Sequence, residues 1–348
     1  MSTTRKPIKK SALMFMLSMM TITLVLLVAV LIVTVSYFVN KEQEPTGVVL
    51  SSGEAIYTEE ELNRLIAERE DGAVEDLLVY LRSALQGGKS TVEVLRELYP
   101  EQTVLVADGK YHFFDLNTNL ALNPYVNSDF QVDENGIVEY NDGIVTSKKG
   151  IDVSKFQGNI DWSRVKADGV EYAFIRAGYR GYGSGKMVTD DTFEDNIKGA
   201  TSNGVDVGVY FFSQAVNEEE AIEEANYVLE AIEGYEVNYP IVIDIEEVTD
   251  SDARTAGLTK EQWTKNCIAF CETIQAAGYT PMIYGNLKTF FIMLDMEQLE
   301  EYDKWFAYYD TPVYFPYKFT IWQYTAKGSV DGISEDVDLN VVFFEPAK

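Results

Sequence analysis

Four acidic side chains stand at the ends of apolar runs that are typical of buried β-strands. They are Asp152 in GIDVSK, Asp244 and Glu246 in YPIVIDIEE, and Asp338 in DVDLN. Ionised carboxylates are among the side chains least often buried, so their repeated placement at strand ends points to a site. Because side chains alternate along a strand, Asp244 and Glu246 are predicted to face one pocket while Glu247 points away.

Two neighbouring carboxylates favour the chemistry of glycoside hydrolysis. Like charges close together raise at least one pKa, and an apolar or aromatic wall raises it further. A carboxylic acid that keeps its proton near neutral pH is the general acid that cleavage of a glycosidic bond requires. The predicted pocket also has flat side chains on which sugar rings can stack, namely Tyr210, Phe212, Tyr284 and Trp322.

Two other interpretations of these acids stay open at this point. Arg176 or Lys155 could hold them in structural ion pairs, and an isolated Asp-x-Glu is a weak motif. Carboxylates are also ligands of Mg²⁺ and Ca²⁺. The aromatic residues favour a sugar site over both, so we predict a catalytic pocket for carbohydrate without a metal.

The chain lacks the residues that nucleophilic Ser-His-Asp or Cys-His catalysis and zinc catalysis require. The chain has one His, His112, and two Cys, Cys267 and Cys271. Because His112 lies outside the predicted barrel, a Ser-His-Asp or Cys-His site is hard to build, and the usual zinc ligand sets cannot be assembled. The cysteines lie four apart in a helical pattern and point in parallel, a poor geometry for a disulfide. We therefore predict two core-facing thiols and no cofactor.

Strand-like and helical patterns alternate from Gly150 onward. Eight short apolar runs are typical of strands, and helical patterns such as DDTFEDNIKGATSNG lie chiefly in the first five connections. Such alternation predicts a parallel sheet with both faces covered. We therefore predict an α/β fold in residues 148–348, an irregular TIM-like (β/α) barrel of about eight strands. Its ligand site should lie at the C-terminal strand ends, where the four acids collect.

Composition limits the classes of protein that the chain can form. Its 348 residues are 46% hydrophobic and 13% aromatic, enough for a sizeable core, which excludes a disordered protein. The formal net charge is −28, although residues 1–40 contain four basic residues and no acid. An excess of acid after residue 40 argues against nucleic acid and anionic membrane surfaces as partners.

The N-terminal region has the pattern of a membrane anchor. No charged residue lies between Lys10 and Lys41, and this apolar run exceeds the roughly 20 residues that span a bilayer as a helix. The run is longer than the core of a cleaved signal peptide and lacks a small-residue cleavage site. We predict a cytoplasmic tail at 1–10, an uncleaved transmembrane helix at 11–39 and a linker at 40–56, with the rest of the chain extracellular.

Residues 57–147 are predicted to form a small α+β stalk module whose role the sequence leaves open. Apolar residues at three- and four-residue spacing predict two or three short helices up to residue 98, with Thr58 and either Ser90 or Thr91 as N-caps. Strand-like runs broken by Asp-Gly and Asn-Gly turns follow, up to residue 146. Such a module could act as a spacer, a regulator or a binding piece for a protein partner.

Several motifs, in order, resemble the family 25 glycoside hydrolases, muramidases that cut the sugar backbone of peptidoglycan. They are GIDVSKFQGNIDW, FIRAGYRGYGSG, TFEDNIKGATSNGVDVGVYFFSQA, YPIVIDIEE and TIWQYTAKGSVDGISEDVDLN, covering roughly residues 148–345. The resemblance implies a TIM-like barrel with five helices or fewer and hydrolysis of the β-1,4 bond between N-acetylmuramic acid and N-acetylglucosamine.

The resemblance also implies roles for the site residues. Glu246 would be the general acid, and Asp244 would orient or charge-stabilise the substrate's N-acetyl group. Asp152 and Asp338 match the family's remaining acidic positions, and Tyr210, Phe212, Tyr284 and Trp322 match its aromatic walls. The chain departs from many members in having Lys155 and Phe156 before Gln157, where those members have His or Trp.

Two alternatives accompany this interpretation. A wall-binding protein could have kept the pocket and lost catalysis, although the complete set of four acids argues against it. A hydrolase of another N-acetylated glycan, such as chitin, would also use an Asp-x-Glu pair. The expected partners are therefore peptidoglycan glycan strands and, through the N-terminal helix, the membrane.

Overall fold

The computed structural model describes residues 48–49, 56–57 and 59–343. The chain divides into two compact units, Met1–Gly88 and Lys89–Lys348. The predicted tail at 1–10 and transmembrane helix at 11–39 lie outside the described residues. In the ranges that the structure describes, no helix combines the length and apolar character needed to cross a membrane.

The described part of the first unit contains a short strand pair and one long helix. Strand β1 (Val48–Val49) pairs antiparallel with β2 (Ile56–Tyr57), and helix α1 (Glu59–Gln86) is continuous over 28 residues. The prediction of short helices was therefore wrong for this stretch. Gly72 lies in the middle of α1, and its cost of about 1 kcal/mol relative to Ala does not end the helix.

The second unit begins with one helix and two β-hairpins. Helix α2 (Thr91–Leu98) starts at Ser90, which forms a capping box with Glu93, so this predicted N-cap is confirmed. The strands of the hairpins are β3 (Gln102–Ala107), β4 (Lys110–Asp115), β5 (Phe130–Val132) and β6 (Val138–Tyr140). A 3₁₀ turn at Asn127–Asp129 precedes β5.

A closed barrel of eight strands follows and confirms the predicted fold class. The remaining strands of the chain are β7 (Lys148–Val153), β8 (Tyr172–Arg180), β9 (Met187–Thr189), β10 (Asp206–Phe212), β11 (Ile241–Asp244), β12 (Pro281–Gly285), β13 (Asp303–Ala307), β14 (Ile321–Gly328) and β15 (Val337–Val342). The barrel order is β7-β8-β10-β11-β12-β13-β14-β15, and β15 pairs with β7 to close it. Strand β9 is a side hairpin on β8, and β15 is antiparallel to both of its neighbours.

Few helices cover this barrel. They are α3 (Trp162–Ala167), α4 (Phe193–Ser202), α5 (Glu218–Ala231) and α6 (Lys260–Ala276), with a 3₁₀ turn at Lys155–Gln157 and a π-helical turn at Thr289–Met293. Helix α6 carries Cys267 and Cys271, both buried and free. The α-helices all precede β12, so the outside of β13, β14 and β15 needs another cover.

Residues 89–147 supply that cover. Tyr125 stacks on Phe343 with 4.0 Å between ring centroids, and Phe130 meets Trp322 edge-on at 5.4 Å. Leu120, Val138 and Tyr140 are buried in the same apolar cluster as the outer faces of the barrel strands. The part of the predicted stalk from residue 89 therefore shares the barrel's core.

The interior of the barrel is filled mainly by large side chains. Tyr172, Phe174, Tyr239 and Trp305 form an inner cluster, in which Tyr172 stacks on Tyr239 at 4.8 Å. Gly150 makes room for this packing, since a Cβ there would lie 2.1 Å from the Tyr172 ring. The barrel is thus a solid core, and its open space lies at one end.

Candidate active site

A cavity of about 540 Å³ lies at the C-terminal ends of the parallel barrel strands. It is lined by Asp152, Ser154, Lys155, Phe156, Gln157, Arg176, Tyr179, Tyr210, Phe212, Asp244, Glu246, Tyr284, Trp305, Tyr309, Gln323 and Asp338. The structure thus brings together all four predicted acids and three of the four predicted aromatic residues.

Strand direction explains how acids far apart in sequence meet. Asp244 ends β11 and Glu246 follows two residues later. Asp152 is near the end of β7, whereas Asp338 is near the start of β15. Because β15 runs antiparallel to β7, these two residues lie opposite each other in register.

Two side-chain amides hold Asp152. Its Oδ2 accepts hydrogen bonds from Gln323 Nε2 at 2.9 Å and from Asn340 Nδ2 at 2.8 Å. All three residues are buried. Such donors favour the ionised carboxylate and oppose the effect of its burial.

The same amides are oriented by aromatic donors. Gln323 Oε1 accepts hydrogen bonds from the hydroxyls of Tyr284 and Tyr309, each at 2.8 Å. Trp305 Nε1 donates to Asn340 Oδ1 at 2.8 Å. With their oxygens engaged in this way, both amides present an N–H to Asp152, which fixes the position of its carboxylate.

Asp244 and Glu246 lack comparable support. Oδ1 of Asp244 is buried and has no hydrogen-bond partner in the structure. Burial, followed by the charges of Glu246 and Asp152, raises the pKa of Asp244 well above its usual range. Burial also raises the pKa of Glu246, and the nearby Tyr284 hydroxyl acts in the opposite direction.

The other two acids are shifted in the same direction. Burial is the largest cause for both, raising the pKa of Asp152 to about 6 and that of Asp338 to about 8. Glu246 acts on both, and Asp152 acts on Asp338. Four carboxylates that repel one another in a buried cavity retain at least one proton near neutral pH, which is the requirement for a general acid.

The cations that could have neutralised these acids pair elsewhere. Arg176 Nη2 lies 2.7 Å from Asp190, whose side chain is fully buried, and Lys155 lies 3.6 Å from Asp191. Within the described ranges, none of the four acids forms an ion pair. The structural ion-pair interpretation is therefore wrong.

Metal ligation was the other interpretation of the acids. Among the residues that the structure describes, no three His, Cys, Asp or Glu side chains converge as the ligands of a metal ion would.

Aromatic side chains and a cation line another part of the cavity. Phe156 is 68% exposed, and its ring lies 5.1 Å from the Arg176 guanidinium carbon. That carbon also lies 5.6 Å from the Tyr179 ring. A rim aromatic held over a partly buried cation presents its other face to solvent, where a sugar ring could stack.

Trp322 is the one predicted site residue that does not line the cavity. It is 1% exposed, and its Nε1 donates to the Tyr308 carbonyl oxygen at 2.7 Å. On β14 its neighbours Ile321 and Gln323 face inward, so Trp322 faces outward, against Phe130. The cavity's indole comes instead from Trp305 on β13.

Sequence reasoning missed several residues that line or support the site, among them Trp305, Tyr309, Gln323 and Asn340. The amides had a readable signal, since Gln323 in TIWQYT and Asn340 in DVDLN are polar residues within apolar strands. The aromatic residues had none, because KWFAYYD is apolar on both faces and does not reveal which side faces inward.

Comparison with known proteins agrees with this geometry. Residues 151–333 match the family described as glycosyl hydrolases, family 25. YegX, an uncharacterized protein of Escherichia coli (strain K12), is 30% identical over 200 residues, which are 55% of this chain and 68% of YegX.

Two further relatives have descriptive names. Lysozyme M1 of Streptomyces globisporus is 32% identical over 206 residues, 55% of this chain and 66% of that protein. The modular autolysin LytC of Streptococcus pneumoniae, solved in complex with a synthetic peptidoglycan ligand, is 25% identical with a TM-score of 0.53. That similarity covers 70% of this chain but only 57% of the LytC chain.

Proposed function

The chain belongs to family 25 of the glycosyl hydrolases, and from that premise we propose that it is a membrane-anchored lysozyme. It would hydrolyse the β-1,4 bond between N-acetylmuramic acid and N-acetylglucosamine in peptidoglycan. The observation that carries the proposal is the cavity itself, in which two buried acids, Asp152 and Asp244, and two partly buried acids, Glu246 and Asp338, lie among aromatic side chains without a cationic partner from the described part of the chain. The similarity to Lysozyme M1 and to LytC supports the choice of substrate.

Glu246 is assigned the role of general acid. Its raised pKa favours a carboxyl group that still carries its proton when substrate binds. In the first step this proton passes to the glycosidic oxygen as the C1–O bond breaks. The resulting carboxylate then accepts a proton from the water that completes hydrolysis.

Asp244 is assigned to the substrate's N-acetyl group. In a substrate-assisted route, the acetamido carbonyl oxygen attacks C1 and the ring nitrogen of the intermediate becomes positively charged. The unpartnered Oδ1 of Asp244 supports this role, since it could accept a hydrogen bond from the acetamido N–H and balance that charge. A donor there would lower the pKa of Asp244 from its raised value.

The remaining residues bind and shape the sugar. Tyr210, Phe212 and Tyr284 line the cavity and would contact the sugar rings, and Asp338 and the amide-held Asp152 would receive sugar hydroxyls. No metal or cofactor takes part in this scheme. Each step uses only a proton, a water molecule and the substrate's own acetamido group.

The proposed location is the outer face of a bacterial membrane. Residues 11–39 would anchor the chain with residues 1–10 in the cytoplasm, which keeps the barrel beside its insoluble substrate and raises its effective concentration there. The family match begins at residue 151 and so does not include this N-terminal region.

The test compares the full chain in detergent, native and with Glu246→Gln, on purified peptidoglycan. The released fragments are reduced and identified by mass spectrometry. We expect products that end in reduced muramic acid. The rate of cleavage by the variant should be lower by a factor of about 10² or more. Glu219→Gln, on the exposed face of α5, is the matched control and should behave as the native chain.

Two outcomes would redirect the proposal. Binding to peptidoglycan without any cleavage by the native chain would favour a wall-binding protein. Faster cleavage of chitin oligosaccharides than of peptidoglycan would favour a hydrolase of another N-acetylated glycan.

A further inference from the structure

Arg96 ties the helix before the barrel to the loop that follows β13. Its Nη1 donates to the Tyr308 hydroxyl at 2.8 Å, and its guanidinium carbon lies 3.7 Å from the centre of the Tyr314 ring. Its Nε donates to the Val104 carbonyl at 3.1 Å, and the Val104 N–H donates to the Tyr314 hydroxyl at 2.9 Å. The loop is thus fastened to α2 and β3, which lie outside the family-matched residues 151–333.

The fastened loop reaches the acids through one residue. Tyr309, next to Tyr308, lines the cavity and donates to Gln323 Oε1 at 2.8 Å. Gln323 in turn donates to Asp152 at 2.9 Å. The position of Arg96 is therefore linked to that of Asp152 by a short series of direct contacts.

A second contact reaches the residues on either side of Glu246. Lys288 lies between Asp108, at the tip of the β3–β4 hairpin, and Glu247, which follows Glu246. Its Nζ is 2.6 Å from Asp108. The next residue, Thr289, donates through its hydroxyl to the carbonyl of Ile245 at 3.0 Å, so both neighbours of Glu246 are held by one turn.

From these contacts we propose that residues 89–147 form part of the active-site framework rather than a spacer. Arg96 is a positioning residue for Asp152, and Lys288 is a positioning residue for Glu246. The inference rests on the proposed function, since it concerns how that same site is held. Residues 89–147 would thus help to position Asp152 and Glu246, which the family-matched region does not do by itself.

A role confined to stability predicts that loss of Lys288 changes the melting temperature, whereas a positioning role predicts that it changes the catalytic rate. Asp108 and Glu247 are well exposed, and exposed ion pairs contribute little to the stability of a fold. Loss of Lys288 should therefore leave the melting temperature nearly unchanged. A misplacement of about 1 Å at a catalytic group, in contrast, can cost up to about 10²-fold in rate.

The experiment uses the full chain with Arg96→Met and Lys288→Met, each of which keeps an unbranched side chain and removes the charge. Arg164→Met is the matched control, because Arg164 pairs with Asp331 on the outer surface. For each protein, kcat and KM on peptidoglycan fragments are measured together with the melting temperature. Hydrogen exchange of residues 308–318 and 245–258 is followed by mass spectrometry.

We expect both variants to lose about 10-fold in kcat/KM, and the melting temperature of Lys288→Met to match that of the control. Amide exchange should accelerate in 308–318 for Arg96→Met and in 245–258 for Lys288→Met. If Arg96→Met does not fold, Arg96→Lys replaces it, since Lys keeps the charge but not the fork of donors.

Kinetics and exchange equal to those of Arg164→Met would overturn the inference. A native chain that fails to cleave peptidoglycan would instead refute the proposed function. In that case the amide hydrogen exchange of residues 308–318 and 245–258 still shows whether Arg96 and Lys288 hold these two segments in place.

Discussion

Asp152 on β7 and Asp338 on β15 lie directly opposite each other across an antiparallel strand pair. Like charges in this arrangement destabilise a sheet. Here the repulsion adds to burial and raises the pKa of Asp338 to about 8. The barrel thus tolerates a local loss of stability at the point where its first and last strands meet.

Replacing Asp338 should stabilise the protein in a pH-dependent manner. Its pKa lies above the ordinary value of 3.8, so its contribution is favourable below about pH 4 and is lost as the pH rises towards 8. Asp338→Asn, which cannot ionise, should therefore raise the melting temperature at pH 8 and leave it nearly unchanged at pH 4. Calorimetry at both values measures this, with the exposed Glu139→Gln as control. An equal gain at both values would show that packing, not charge, is responsible.

The two tryptophans on neighbouring strands should behave differently when each is changed to Phe. Trp305→Phe frees the Asn340 amide that orients Asp152, so kcat/KM should fall about 10-fold. Trp322→Phe removes a hydrogen bond and a ring contact outside the cavity, and should lower the free energy of unfolding by about 2 kcal/mol. Kinetics and chemical denaturation of both variants would show the contrast. A larger loss of kcat/KM for Trp322→Phe than for Trp305→Phe would indicate that Trp322 lines the pocket after all.

Phe156→Ala should weaken substrate binding without affecting the fold. The ring is mostly exposed and rests on Arg176, so its free face is available for stacking. Loss of one such contact, worth about 1 kcal/mol, corresponds to a KM about 5-fold higher with kcat little changed. Steady-state kinetics on peptidoglycan fragments checks this, and the highly exposed Ile144→Ala should have no effect. An unchanged KM would show that Phe156 does not contact the substrate.

The full chain should behave as an integral membrane protein. Because the apolar run at 11–39 is long enough to span a bilayer, the chain should stay in the membrane fraction after an alkaline carbonate wash. Introducing Arg residues at positions 20 and 28 should release it. Recovery of the native chain in the wash, or an N-terminus beyond residue 39, would refute the anchor.

The acids were predictable because their signal is local. Asp244 and Glu246 interrupt an apolar run at an interval of two, and a parallel barrel places strand ends together. The prediction that Trp322 lines the pocket was wrong for a related reason. Its strand has large side chains on both faces, so a shift of one residue decides whether a side chain faces the cavity or the outer core, and the contact of Trp322 with Phe130 places it in the outer core.

Residues 57–147 were harder to interpret, because their packing partners lie far along the chain. The pattern of two or three short helices up to residue 98 did not show that Glu59–Gln86 is a single continuous helix. Tyr125 and Phe130 were readable only as strand or turn residues, and the residues they contact, Phe319 and Phe343, lie about two hundred positions later in the chain. Propensity alone cannot reveal such a partner.

The pairing of β7 with β15 also sets the order in which the protein becomes active during synthesis. Strand β7 is made first among the barrel strands and waits for β15, which brings both Asp338 and the amide of Asn340. Until those last residues emerge from the ribosome, Asp152 lacks one of its two donors and the barrel stays open. The complete arrangement of Asp152 therefore requires the last strand of the barrel.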